Sequence, residues 1–121
     1  MKISRTIVVL DAADLGAVSS FWAGLLGGTV DAEDDWHTIR VDGQARMAIQ
    51  LAPDHVAPGW PDGAPPQQIH LDLFVDDITT AHDEAIGLGA KLLQPAKDLS
   101  AGEGFQVYAD PAGHPFCLCW G

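Results

Sequence analysis

The stretches Ile7-Val8-Val9-Leu10-Asp11-Ala12-Ala13-Asp14-Leu15 and His70-Leu71-Asp72-Leu73-Phe74-Val75-Asp76-Asp77-Ile78 stand 63 residues apart, about half the 121-residue chain. Each is a strand-like apolar run that leads to an aspartate, then to an aliphatic residue that opens a helical pattern. Asp14 and Asp77 are suited to cap those helices, because a short carboxylate accepts the free amide hydrogens of a first turn. Leu15, Val18, Phe21, Trp22, Leu25 and Leu26 then follow the 3.6-residue period, which predicts a helix over about 15–26. Gly27-Gly28 supplies its left-handed stop. In the second copy Ile78, Ala81, Ala85, Ile86 and Leu88 predict a helix over about 78–88, stopped by Gly89.

Three short strands are expected after each helix. The first set falls at about 28–32, 36–41 and 46–52, with a hairpin turn at Asp42-Gly43. The second falls at about 90–93, 105–109 and 115–120, with Asp110-Pro111-Ala112-Gly113 as the turn. The stretch between, rich in Pro and Gly, reads as a surface connector that Val56 and Trp60 anchor. The fold class is therefore α+β, two β-α-β-β-β modules in one domain spanning 1–121. Module one covers about 1–52, the connector about 53–68 and module two about 69–121.

Composition excludes several classes. A formal net charge of −11 is wrong for a nucleic-acid binder, which needs a basic face. No apolar run reaches the roughly 20 residues of a membrane helix. The start Met1-Lys2-Ile3-Ser4-Arg5 carries no signal-peptide pattern, so a cytoplasmic protein is expected. Cys117 and Cys119 are two apart in an apolar run, which puts them on one face of a strand as packed thiols. Gly-x-Ser-x-Gly elbows, phosphate-cradling loops and dinucleotide fingerprints are absent.

The chain resembles the vicinal oxygen chelate superfamily, and within it the glyoxalase-like proteins grouped with bleomycin resistance proteins. The resemblance rests on Phe21-Trp22-Ala23-Gly24-Leu25-Leu26-Gly27, on Trp60-Pro61 followed by Pro66-Gln67-Gln68-Ile69-His70-Leu71-Asp72, and on Asp110-Pro111-Ala112-Gly113-His114-Pro115-Phe116. It implies that the two modules form a cupped, eight-stranded mixed sheet with helices on the outer face and ligands inside, and that homodimers are common. Strand alternation then sends His70, Asp72 and Phe74 into the cup, with Thr38, Arg40, Ala48, Gln50, Gln106, Tyr108, Cys117 and Cys119. Val107, Phe116 and Leu118 are expected in the outer core, His82 on an exposed helix face, and Trp22 and Trp120 in the core.

Metal-using members of the superfamily draw ligands from the first and last strands of each module. Those positions are Ile7, Gln50, His70 and Cys117 here. A hydrocarbon, a neutral amide, an imidazole and a thiol make a degenerate set, so no metal cofactor is favoured, although a divalent ion at His70, Gln50 and Cys117 stays open. The expected ligand residues are His70, Asp72, Gln50, Arg40, Trp36, Trp60, Tyr108 and Cys117. Flat aromatic faces and carboxylates suit a small aromatic or cationic organic molecule, bound without a metal. The alternative is a metal-dependent lyase or dioxygenase, with Tyr108 or Asp72 moving protons.

Overall fold

The two expected helices form with the expected ends. In the computed structural model, which describes residues 1–121, Asp14 accepts the amide of Ala17 at 3.1 Å and opens α1 (Leu15–Leu26). Asp77 accepts the amides of Thr79 and Thr80 at 3.0 and 3.1 Å and opens α2 (Ile78–Leu88). The Thr80 amide foremost holds the Asp77 carboxyl below its ordinary value. Gly27 and Gly89 close the helices at φ 69° and 113°, a region costly for any residue with a Cβ.

The strands are β1 (Val8–Ala12), β2 (Thr29–Ala32), β3 (Trp36–Val41) and β4 (Gln44–Leu51), then β5 (Leu71–Phe74), β6 (Lys91–Gln94), β7 (Gly104–Ala109) and β8 (Pro115–Trp120). They build two four-stranded mixed sheets of identical plan, β1-β4-β3-β2 and β5-β8-β7-β6. In each the first strand runs parallel to the last and the remaining pairs are antiparallel, as a β-α-β-β-β module requires. Asp42 and Gly43 join β3 to β4 with φ of 52° and 77°, the two positive values of a twist-matched hairpin turn. The chain divides into two compact units, Met1–His55 and Val56–Gly121, each with one sheet and one helix.

Burial in the first unit follows the periodicity. α1 presents Leu15, Val18, Phe21 and Trp22 to the sheet, all buried, and Phe21 and Trp22 meet edge to face at 5.3 Å between centroids. Ile39, Met47 and Ile49 answer from β3 and β4. On the same face, Ser19 Oγ and His37 Nδ1 lie 2.8 Å apart, so the one buried hydroxyl of α1 has a partner.

In the second unit β8 is buried along Pro115–Cys119. Phe116 and Leu118 lie on the α2 side, with Phe116 stacked on Tyr108 at 5.5 Å between centroids. The sequence places Tyr108 and Gln106 on the other face, and the structure reverses them. β7 pairs with β8 so that Val107 stands opposite Cys117, and Gln106 and Tyr108 stand opposite Leu118 and Phe116. Tyr108 and Gln106 are fully buried beneath α2, and Val107 packs with Cys117 and Cys119. Alternation fixes two faces but not which is which; the register of the neighbouring strand decides, and a slip of one inverts every side chain. His82 turns inward as well: its Nδ1 lies 2.7 Å from the Tyr108 hydroxyl.

Candidate functional site

β5 and β8 lie side by side, with Asp72 paired directly to Cys117 and Phe74 to Cys119. All four side chains leave the sheet on the face away from α2, and Val107 and Phe105 of β7 share that face. His70, two residues before Asp72, joins them: its Nε2 is 3.3 Å from Asp72 Oδ1. A cleft of about 570 Å³ opens here. Its polar lining is His70, Asp72, Glu103 and the two thiols, and its apolar lining is Phe74, Phe105, Trp120 and the backbone of Gly104. No lysine or arginine lines it.

Two features shape the cleft. Trp120 lies flat across Gly104, its cross-strand partner, where an added Cβ would fall 2.6 Å from the indole. The indole nitrogen donates to the Ala101 carbonyl at 2.9 Å, which fixes the ring and leaves it partly exposed rather than in the core. Phe74 and Phe105 are exposed to 74% and 50%, an unusual cost for two aromatic rings unless something covers them. Trp60 and Leu93 pack against Val107, Cys117 and Cys119, so Trp60 anchors the connector to this sheet face.

The thiols are quiet. Burial, with the Asp72 charge and its hydrogen bond behind it, pushes the Cys117 thiol up to about 12. Burial and Asp72 push Cys119 up too. A protonated thiol at neutral pH is a poor nucleophile, and both cysteines are free.

The other expected site residues fall in both units. Trp36, Thr38, Ala48 and Gln50 lie on the face of the first sheet away from α1, where Trp36 pairs directly with Gln50. Arg40 is engaged by Asp31 in an exposed ion pair of the kind that contributes at most about 1 kcal/mol. Tyr108 belongs to a buried chain in which Gln106 Nε2 donates to its hydroxyl at 2.7 Å and Gln106 Oε1 accepts from the Ala96 amide at 3.0 Å. Burial raises the phenol above its ordinary value. Tyr108→Phe should therefore lower stability by about 1–3 kcal/mol in urea unfolding, by stranding Gln106. A neutral result would mean that the hydroxyl is solvated.

Sequence reading missed Glu103, Gly104, Phe105 and Trp120 as cleft residues. The signal available was the pairing of a glycine with a terminal tryptophan, and it needs the β7–β8 register to be seen. The Asp110–Phe116 motif serves the fold. Its buried Asp110 carboxylate accepts the amides of Ala112 and His114, each at 2.9 Å, and holds His114 Nδ1 at 2.8 Å.

Comparison with known proteins agrees with this architecture. The model of a family described as a glyoxalase-like domain matches residues 7–119. A glyoxalase/bleomycin resistance protein/dioxygenase family enzyme from Burkholderia phytofirmans superposes with a TM-score of 0.71 at 16% identity, over 94% of this chain and 95% of that one. A fosfomycin resistance protein from Listeria monocytogenes gives 0.73 at 14% identity, over 100% and 95%. A glyoxalase-related enzyme from Fulvimarina pelagi gives 0.71 at 19% identity, over 98% and 89%. At these identities the structures share the fold alone. No curated protein matches the chain. No helix is long and apolar enough to cross a membrane.

Proposed function

This chain belongs to the glyoxalase-like domain family, and we propose that it binds a small organic cation with a planar apolar body in the cleft of its second unit. One observation carries the reading: three aromatic side chains and two carboxylates line a single cleft with no lysine or arginine among them. Aromatic faces attract cations at about 0.5–2 kcal/mol per contact, depending on how dry the contact is. Asp72 and Glu103 add attraction, and the net charge of −11 raises the local concentration of cations.

The family's four metal-ligand positions do not support a lyase or dioxygenase in this chain. Ile7 has no donor atom, Gln50 offers only a neutral amide, and Cys117 is a protonated thiol where a hard divalent ion wants carboxylate oxygen.

The test is quenching of tryptophan fluorescence by N-methylquinolinium, with neutral quinoline as the control, in chelator-treated buffer. Saturable quenching is expected for the cation, at least several-fold tighter than for quinoline. In the double variant Asp72→Asn, Glu103→Gln the affinity for the cation should fall about tenfold, the equivalent of roughly 1.4 kcal/mol. Equal affinity for the two compounds, or no change in the variant, would sink the proposal.

A further inference from the structure

We infer that the ligand cleft continues into a second hollow formed by the β6–β7 loop, and that this hollow takes an uncharged apolar tail carried by the bound cation. The inference rests on the reading of the cleft as a site for a planar organic cation, and it narrows that class to cations with one hydrocarbon arm.

The second hollow has a volume of about 370 Å³ and is built from the β6–β7 loop and the strand ends that it joins. Glu103, Gly104 and Phe105 line both this hollow and the cleft, so the two spaces share one wall. Gln94 stands opposite Val107 in the β6–β7 ladder and leaves on the face that Phe105 shares. At about 3.3 Å per residue the shared stretch is roughly 7 Å from end to end, within reach of a short alkyl chain. The loop is held in shape along its length. Gln106 Oε1 accepts the Ala96 amide at 3.0 Å, and the Trp120 indole donates to the Ala101 carbonyl at 2.9 Å. Between these ties Asp98 accepts the Ser100 amide at 2.9 Å and the Ser100 hydroxyl at 2.6 Å. A hollow fixed in this way exists before the ligand arrives, and little ordering is lost on binding.

The lining selects what the hollow accepts. Lys97 is its only basic side chain, so a second positive charge on the ligand would meet an ammonium. An acidic group would meet the carboxylates of Asp98 and Glu103 instead. Pro95, Ala96, Ala101 and Phe105 offer apolar surface. Uncharged hydrocarbon is the one class that none of these groups opposes. Taking it out of water favours binding by roughly fourfold per buried methylene. The two spaces thus divide the ligand: the cleft holds the charged ring, and the hollow holds its arm.

Tryptophan-fluorescence titration with two matched pairs tests the hollow: N-methylquinolinium against N-hexylquinolinium, and quinoline against hexylquinoline. In each pair the hexyl compound is expected to bind at least tenfold tighter, a gain that about two buried methylenes supply. Ala101→Leu fills the hollow from an exposed position and keeps the main-chain carbonyl that holds Trp120. It should cut the hexyl gain at least fivefold. N-aminohexylquinolinium, whose chain ends in an ammonium, should bind at least tenfold more weakly than the N-hexyl compound, and Lys97→Gln should narrow that gap at least twofold. The proposal is overturned by a hexyl gain below threefold in both pairs, by a gain that Ala101→Leu leaves unchanged, or by an ammonium-ended chain that binds as tightly as the hexyl one. The pairs also separate the two readings. A hexyl gain without preference for the charged ring would defeat the cation reading and leave the hollow standing; preference for the charged ring without a hexyl gain would do the reverse.

Discussion

Phe116→Ala is expected to lower the unfolding free energy of the second unit by about 3–5 kcal/mol, the usual cost of emptying a large buried aromatic site. Phe116 is fully buried in β8, beside Leu71 on one side and Tyr108 on the other. Its ring stacks on Tyr108 at an interplanar angle of 19°. Truncation removes the surface that holds the Tyr108 ring in place, so the hydrogen bonds to His82 and Gln106 loosen together. Both losses arise at one position and add to the cavity term. Urea denaturation followed by circular dichroism measures the change, and a cost below about 1.5 kcal/mol would contradict the burial described.

The second large effect is expected from the smallest substitution. Gly28→Ala places a methyl group 2.2 Å from the carbonyl oxygen of Arg40 and 3.1 Å from a Val41 methyl. The clash is with backbone, which cannot swing aside as a flexible side chain can. The β2–β3 ladder begins one residue later, where Thr29 pairs with Arg40, so relief means prying β2 off the sheet. A cost of at least 1–3 kcal/mol follows from overpacking. Gly27→Ala is the useful comparison: no atom lies within 4 Å of its added methyl, and its only penalty is a φ of 69°. If the two variants melt alike, close approach is not the reason for glycine at position 28.

Local signals carried most of the fold. Both helices have the ends expected from an aspartate cap, an apolar period and a glycine stop. β3 and β8 run over the expected residues, and the other strands differ by up to two residues at their ends. The assignment of faces was legible only in part. Along β5 simple alternation already put Asp72 and Phe74 on one face, as the β5–β8 pairing has them. β7 misled because Gln106 and Tyr108 are polar, and polar side chains suggest a wet face. They are instead satisfied internally, by each other, by the Ala96 amide and by His82. Tertiary partners that far along the chain leave no mark on a local pattern. The cleft shows the same division. His70, Asp72 and Cys117 could be named from alternation, whereas Glu103 and Phe105 become cleft residues only once Gly104 is set opposite Trp120.

β5 lies at the border of its sheet, with β8 on one side only. On this strand Phe74 leaves an aromatic ring exposed, and an exposed apolar ring favours association between copies. Asp72 is the only charged residue within β5. The same carboxylate that suits a bound cation therefore guards against self-association, and neutralising it removes the one charge on the strand that carries the exposed ring. Asp72→Asn thus has a colloidal consequence as well as a chemical one, which light scattering at rising protein concentration would register before any ligand is added.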